Sequence, residues 1–250
     1  MILVAKPNAP AKLAEFADLT AGHCAAHDAD RARYDRGDTT FEILSANYGH
    51  ADVKDVLRNA QHSKCCFCEG MFEANAAADV EHYRPKKYSQ QGRRQPKVYP
   101  GYYWRGYAWD NLFYCCQVCN RSHKKNFFPL RDPTTRVRHH GGDLTGEAPL
   151  LLNPAGPADP RDHIFFNNEI AVGGTDEGVA TVDYCGLNRL PLIEARLEHF
   201  KRLETLRHVA ALQATSPDVE AVILEAQTYL AAAVLPAAKF SAMAQDALAA

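Results

Sequence analysis

The chain has 250 residues, 46% of them hydrophobic, with 28 Lys+Arg against 30 Asp+Glu, which excludes a largely disordered chain. A chain of this length buries a sizeable core without crosslinks, so its 8 cysteines are not needed as staples. The uncharged stretch from Ala226 to Ala238 is 13 residues, short of the roughly 20 that a membrane-spanning helix needs, and Met1 to Pro7 shows no secretory leader, so the expectation is a cytoplasmic protein with reduced thiols and no membrane partner.

In chain order, Asp52 reads as the N-cap of a helix running to about His62, with Val53, Val56 and Leu57 at helical spacing. Residues 1–63 are taken as an N-terminal helical segment. From Lys64 to Leu130, glycines, prolines and aromatics break the pattern into short strands, a long loop from Pro85 to Gly106, and one short helix around Gln117 to Lys125. Residues 64–138 are the expected functional module. The breakers between His139 and Pro160 mark loops, after which a short strand is expected at Ile164 to Phe166. Pro191 opens a helix, Ser216 caps a second, and the Ala-rich tail from Leu235 can form a third. Residues 139–250 thus read as a loop-rich segment and a helical region, and the fold class as α+β within a mainly helical chain.

The overall charge of -2 hides an asymmetry. His82 to Arg138 holds 13 Lys+Arg and only two acids, Asp110 and Asp132, a balance of +11 that leaves -13 for the rest. The same window contains both tryptophans and 12 of the 24 aromatics. Basic and aromatic residues interleaved in this way suit a nucleic acid, with phosphates neutralised and bases or sugars packed. A solvated basic loop over a small aromatic core is the plainer alternative.

Cys65 and Cys68, and Cys116 and Cys119, form two C-x-x-C pairs. Each pair can turn two thiolates toward one point, and two such knuckles complete a closed tetrahedral site, so structural Zn²⁺ is expected. Cys66 and Cys115 are adjacent alternatives. Cys24 and Cys185 read as buried thiols, and His23 and His27, which flank Cys24 without an acidic companion, give little reason to expect a second metal.

Between the knuckles run Glu81-His82-Tyr83-Arg84-Pro85 and then Asn111-Leu112, and the second knuckle ends in Cys119-Asn120-Arg121. An acid followed by His and x-x-Pro, an Asn-Leu, and C-x-x-C-Asn resemble the HNH endonuclease motif. That resemblance implies a zinc-stabilised ββα-metal core, with His82 as general base and with Glu81 and Asn120 presenting oxygens to one Mg²⁺ or Mn²⁺. It also implies that Asn111 ties the loop carrying His82 to the helix. An imidazole titrating near pH 6.5 can take a proton from water, and hard carboxylate and amide oxygens suit such cations. Glu81 stands where Asp is usual and Asn120 where the last His is usual, which leaves His123 as an alternative ligand or phosphate contact. Arg84, Lys86, Arg121, Lys124 and Lys125 are candidate phosphate contacts.

Further segments, Lys64 to Glu69, Tyr107 to Leu112, Phe128-Pro129-Leu130, Pro149 to Pro154 and His163 to Phe166, are similar to the PtuB-type HNH effectors of Septu and retron anti-phage systems. That branch carries Glu-His rather than Asp-His. The resemblance implies DNA cleavage in a defence complex with a PtuA-type ATPase, with a structured RNA as the alternative substrate and a zinc-stabilised, non-catalytic binding module as the alternative function. His163 reads as structural, and the C-terminal helices as the surface that docks the partner.

Overall fold

The computed structural model describes residues 1–74 and 76–249. They form an α+β arrangement in which two small antiparallel sheets sit among nine α-helices of the described residues. The N-terminal segment folds as α1 (Ala11–Ala14), α2 (Ala17–Ala29), α3 (Arg31–Arg36), α4 (Ser45–Tyr48) and α5 (Ala51–Ala60). His50, rather than Asp52, takes the N-cap of α5, its Nδ1 accepting the Asp52 N–H at 3.3 Å. Asp52 instead lies in the first turn, where its carboxylate meets the positive end of the helix dipole. Val53 and Leu57 are fully buried, each burial being worth about 1.5–3 kcal/mol.

The helix delivers the chain to strands β1 (Ala78–His82) and β2 (Leu112–Cys116), paired from Ala78 with Cys116 to His82 with Leu112. Every residue of β2 is buried because the strand separates two cores. Leu112 and Tyr114 face the N-terminal helices, where they join Val53, Leu57 and Val80. Phe113 and Cys115 face the larger core, which also takes in Phe67, Phe128, Leu203 and Met243. The strand's two-residue period divides its side chains between the two cores. A seven-residue π-helix, Val118–Lys124, follows directly, closed by the Lys125 N–H on the Asn120 carbonyl at 2.8 Å. The short helix expected there thus has wider turns than an α-helix.

The long connection between the strands is zipped rather than open. Gly101 N–H donates to the Lys87 carbonyl and Tyr102 N–H to that of Pro85, both at 2.9 Å, while Ser89 and Val98 form a bridge. A Cβ on Gly101 would fall 2.5 Å from the Lys86 carbonyl carbon, so only glycine permits this approach.

Beyond the loops, β3 (Ile164–Asn167) extends the expected strand and pairs with β4 (Ile170–Gly173), followed by α6 (Asp176–Tyr184). Sequence patterning shows neither β4 nor α6, because the strand is four residues long and the helix nine. Pro191 sits in the first turn of α7 (Leu190–Ala210), and Ser216 Oγ accepts the Val219 N–H at 3.3 Å to cap α8 (Pro217–Ala233). The third helix, α9 (Ser241–Ala249), starts at Ser241 rather than Leu235. No helix among the described residues is long and apolar enough to cross a membrane.

Candidate functional site

The sulfurs of Cys65, Cys68, Cys116 and Cys119 are buried and lie within 4.8 Å of one another, a group able to hold a metal ion. The Cys119 N–H donates to Cys116 Sγ at 3.4 Å, closing the second knuckle, and Arg189 donates to Cys119 Sγ at 3.3 Å, placing a cation beside the thiols. Hydrogen bonds from Cys115 and Cys119 hold the Cys116 thiol down to about 4, so this sulfur is a thiolate at neutral pH. Cys66 and Cys115 converge with Cys65 in a second, three-sulfur group, Cys115 Sγ standing 3.6 Å from Cys65 Sγ. Burial pushes both of their thiols up. Among the described residues, only the first group supplies the four sulfur donors that a tetrahedral ion takes. Cys185 is fully buried and Cys24 partly so.

At the other end of the hairpin, His82, Glu81 and Asn120 line one polar cleft of about 260 Å³. His82 is buried with Nε2 at 2.9 Å from the Gly106 carbonyl. A carbonyl only accepts, so Nε2 carries the proton and Nδ1 keeps its lone pair. Tyr48, the last residue of α4, packs edge-on against the imidazole at 4.5 Å between ring centres. Burial, reinforced by the positive charges of Lys86 and Lys124, holds His82 well below the usual histidine range, so the ring is neutral at neutral pH. Lys86 Nζ stands 3.4 Å from Nδ1 and donates to Tyr48 Oη at 3.2 Å, and burial lowers its own pKa to about 8.

Asp79 and Glu81 share the face of β1 that meets the π-helix. The Asn120 Nδ2 donates to Asp79 Oδ2 at 3.0 Å, and Arg121 grips the same carboxylate through Nε and Nη2 at 2.7 and 2.6 Å. Since Asp79 takes the amide nitrogen, the Asn120 oxygen is the atom left for the cleft. Glu81 is buried against the Lys124 ammonium, which also donates to the His82 carbonyl. Burial raises the Glu81 pKa, and Lys124 opposes that rise.

Asn111 joins the loop's two limbs. Its Oδ1 accepts the Arg84 N–H at 2.7 Å, and its Nδ2 donates to the carbonyls of Arg84 and Arg105 at 3.1 and 3.0 Å. The tie therefore runs from the residues after His82 to those before Gly106, not to the helix. Of the five candidate phosphate contacts, Lys86, Arg121 and Lys125 line the cleft. Lys124 is fully buried, and Arg84 lies against Tyr102 and Phe128 and pairs with Glu147, so both cations face inward. Charge alone cannot reveal this, because the partner carboxylates lie 43 and 63 residues away along the chain. His123 is outside the cleft and packs on Gly186, where a Cβ would meet its Nδ1 at 2.2 Å. His163 bonds Thr175 Oγ1 at 2.8 Å beside the start of α6 and does not line the cleft.

Sequence reasoning missed Tyr48, Asp79 as the clamp on Asn120, and the Gly106 carbonyl. Asp79 alone left a trace, two residues before Glu81 on a strand and hence on the same face.

The chain is 36% identical over 182 residues to the Septu protein PtuB of Bacillus mycoides (strain KBAB4), a match covering 72% of this chain and 60% of that protein. It is 23% identical over 176 residues to the Septu protein PtuA of the same strain, covering 70% of this chain and 24% of that protein. The chain thus spans less than two thirds of either relative. No family model and no solved structure matches it.

Proposed function

We propose that the chain is a metal-dependent HNH-type endonuclease that hydrolyses phosphodiester bonds of DNA, acting as the effector of a Septu anti-phage system with a PtuA-type ATPase as its partner. The observation that carries this reading is the neutral His82, with its Nδ1 lone pair in the same polar cleft as Glu81 and Asn120. The likeness to two proteins that carry the Septu name supports the place in that system. In this reading residues 64–138 hold the chemistry, with β1, β2 and the π-helix as the ββα unit, and the C-terminal helices dock the ATPase. The reducing cytoplasm keeps the thiols ready for Zn²⁺ at Cys65, Cys68, Cys116 and Cys119.

His82 Nδ1 takes a proton from the attacking water, while the Gly106 carbonyl holds the ring and stabilises the imidazolium that forms. Glu81 and the Asn120 amide oxygen are hard donors in a polar cleft and fit one Mg²⁺ or Mn²⁺, a class of ion that keeps several waters when few protein ligands are offered. When bound, such a cation supplies charge stabilisation for the phosphoryl and leaving oxygens. Lys124 holds the Glu81 carboxylate in place, Asp79 holds Asn120, and Lys86, Arg121 and Lys125, which line the cleft, are the residues that would contact phosphate oxygens. Asn111 fixes the limb that delivers Gly106.

The test is cleavage of plasmid DNA and total RNA by wild type and His82→Ala, with Mg²⁺, Mn²⁺ or EDTA, with and without the ATPase. The nuclease reading expects metal-dependent DNA fragments and a loss of about two to four orders of magnitude in the variant. Equal cutting by His82→Ala overturns the assignment of the base, RNA fragments alone change the substrate, and binding without fragments in every condition leaves a binding module.

A further inference from the structure

Away from the cleft, the N-terminal helices and the turn after the basic segment bring together a second set of metal-ligating side chains. His27 and Asp28 end α2, and His140 reaches them from the turn at His139 to Gly142. Their ligand atoms all lie within 4.8 Å of one another. His27 is fully buried, yet neither of its ring nitrogens has a hydrogen-bond partner, an arrangement that ordinarily costs about 1–3 kcal/mol per unsatisfied group. The Asp28 carboxylate stands between the two imidazoles, 4.0 Å from His27 Nδ1 and 3.4 Å from His140 Nε2. Ligands about 2.0–2.1 Å from a tetrahedral ion are about 3.3 Å apart, so the Asp28–His140 edge already has that length and a small rotation of the exposed Asp28 shortens the other.

The far sides of both rings are also provided for. His140 Nδ1 is 2.8 Å from Tyr103 Oη, and His27 Nε2 is 3.5 Å from Asp35 Oδ1, a buried oxygen that itself lacks a hydrogen-bond partner. A metal-bound imidazole typically gives its second N–H to an oxygen of this kind, which fixes the ring and its tautomer. Among the described residues, Arg31 is the competing cation at Asp28, exposed and 3.7 Å from Oδ1, free to swing into solvent.

We infer that His27, Asp28 and His140 form a site for a divalent transition-metal ion, Zn²⁺ by its nitrogen and oxygen donors, with the fourth position open to solvent on the exposed side of Asp28. The ion clips α2 to the turn after the basic segment. Through Tyr103, which begins the short 3-10 turn preceding Gly106, it also steadies the limb whose carbonyl holds His82. Neither the four cysteines nor the cleft contributes a ligand.

The test uses the full chain, with Zn²⁺ alone as the probe in a competition titration against a chromophoric chelator, and with Co²⁺ as a spectroscopic replacement. The site predicts an equivalent of metal whose cobalt form lacks thiolate charge-transfer absorption, which separates it from any ion on the cysteines. Asp28→Asn and His140→Gln alter solvent-accessible ligands and spare the buried His27, and each weakens that equivalent by about tenfold or more. Absence of a non-thiolate equivalent in the wild type overturns the site, as does undiminished affinity in either variant.

Discussion

At one end of the β1–β2 hairpin, where Ala78 pairs with Cys116, four thiols converge from two tight knuckles; at the other, where His82 pairs with Leu112, an imidazole, a carboxylate and an amide meet in a cleft. The knuckles are local, each pair of sulfurs separated by two residues, so the chain carries its own geometry into the fold. The cleft is held by distant groups: the Gly106 carbonyl on His82, Lys124 on Glu81, Asp79 on Asn120, and Tyr48 against the ring. A site written in short spacings survives being read without a structure, whereas one completed by backbone carbonyls and buried counter-ions does not.

The largest effect that separates the two regions is expected from Cys116→Ser. Structural Zn²⁺ binding is worth about 10–16 kcal/mol near neutral pH, and hydrogen bonds from Cys115 and Cys119 already hold the Cys116 thiol down to about 4. Loss of the bound metal and of cooperative unfolding is expected, measured by metal content and thermal melting. A variant that melts like wild type and lacks metal would make the thiols mere packing. His82→Ala, by contrast, should leave metal content and melting close to wild type while removing cleavage.

Next in size is Lys124→Met. Lys124 is fully buried on the Glu81 carboxylate, and removing one partner of a buried pair costs about 3–5 kcal/mol, because the other charge is left uncompensated. Lys125→Met, one residue along and exposed, should change stability by no more than about 0.5 kcal/mol. Urea unfolding of the two variants checks the contrast. Equal effects would mean that Lys124 does not hold Glu81.

These contrasts also explain what was legible in the sequence. Pro191 and Ser216 announced their helices through backbone chemistry that acts within one turn, and the C-x-x-C pairs announced the thiol group. Glu81, His82 and Asn120 were expected together and do line one cleft. Arg84 and Lys124 looked the same as Lys86 and Lys125 because a charge does not state which way it points. Their inward turn depends on Glu147 and Glu81, whose positions only tertiary packing decides. His50 displaced Asp52 at the α5 cap because an imidazole nitrogen accepts a helix N–H as a carboxylate does, a competition that residue preference alone does not resolve.

The smallest effect tests how the thiol end is anchored to the C-terminal helix. Glu69 follows the first knuckle and is buried against the Met1 ammonium at 2.8 Å, Lys64 at 3.0 Å and the Ser241 hydroxyl at 2.8 Å. Burial raises its pKa, but the ammonium groups of Met1 and Lys64 outweigh that and hold it at about 2. A carboxylate lowered from its unfolded value of 4.5 contributes stability that is complete above that pH and disappears as pH falls toward 2. The difference corresponds to roughly 3 kcal/mol as an upper bound. Glu69→Gln cannot titrate, so the stability gap between wild type and variant should be widest above pH 4.5 and narrow steadily below it. Acid also protonates the thiols, but it does so in both proteins, so that loss cancels in the difference. Unfolding curves at matched pH read the gap directly, and a gap that stays constant across this range would mean that Glu69 is not held ionised by its buried partners.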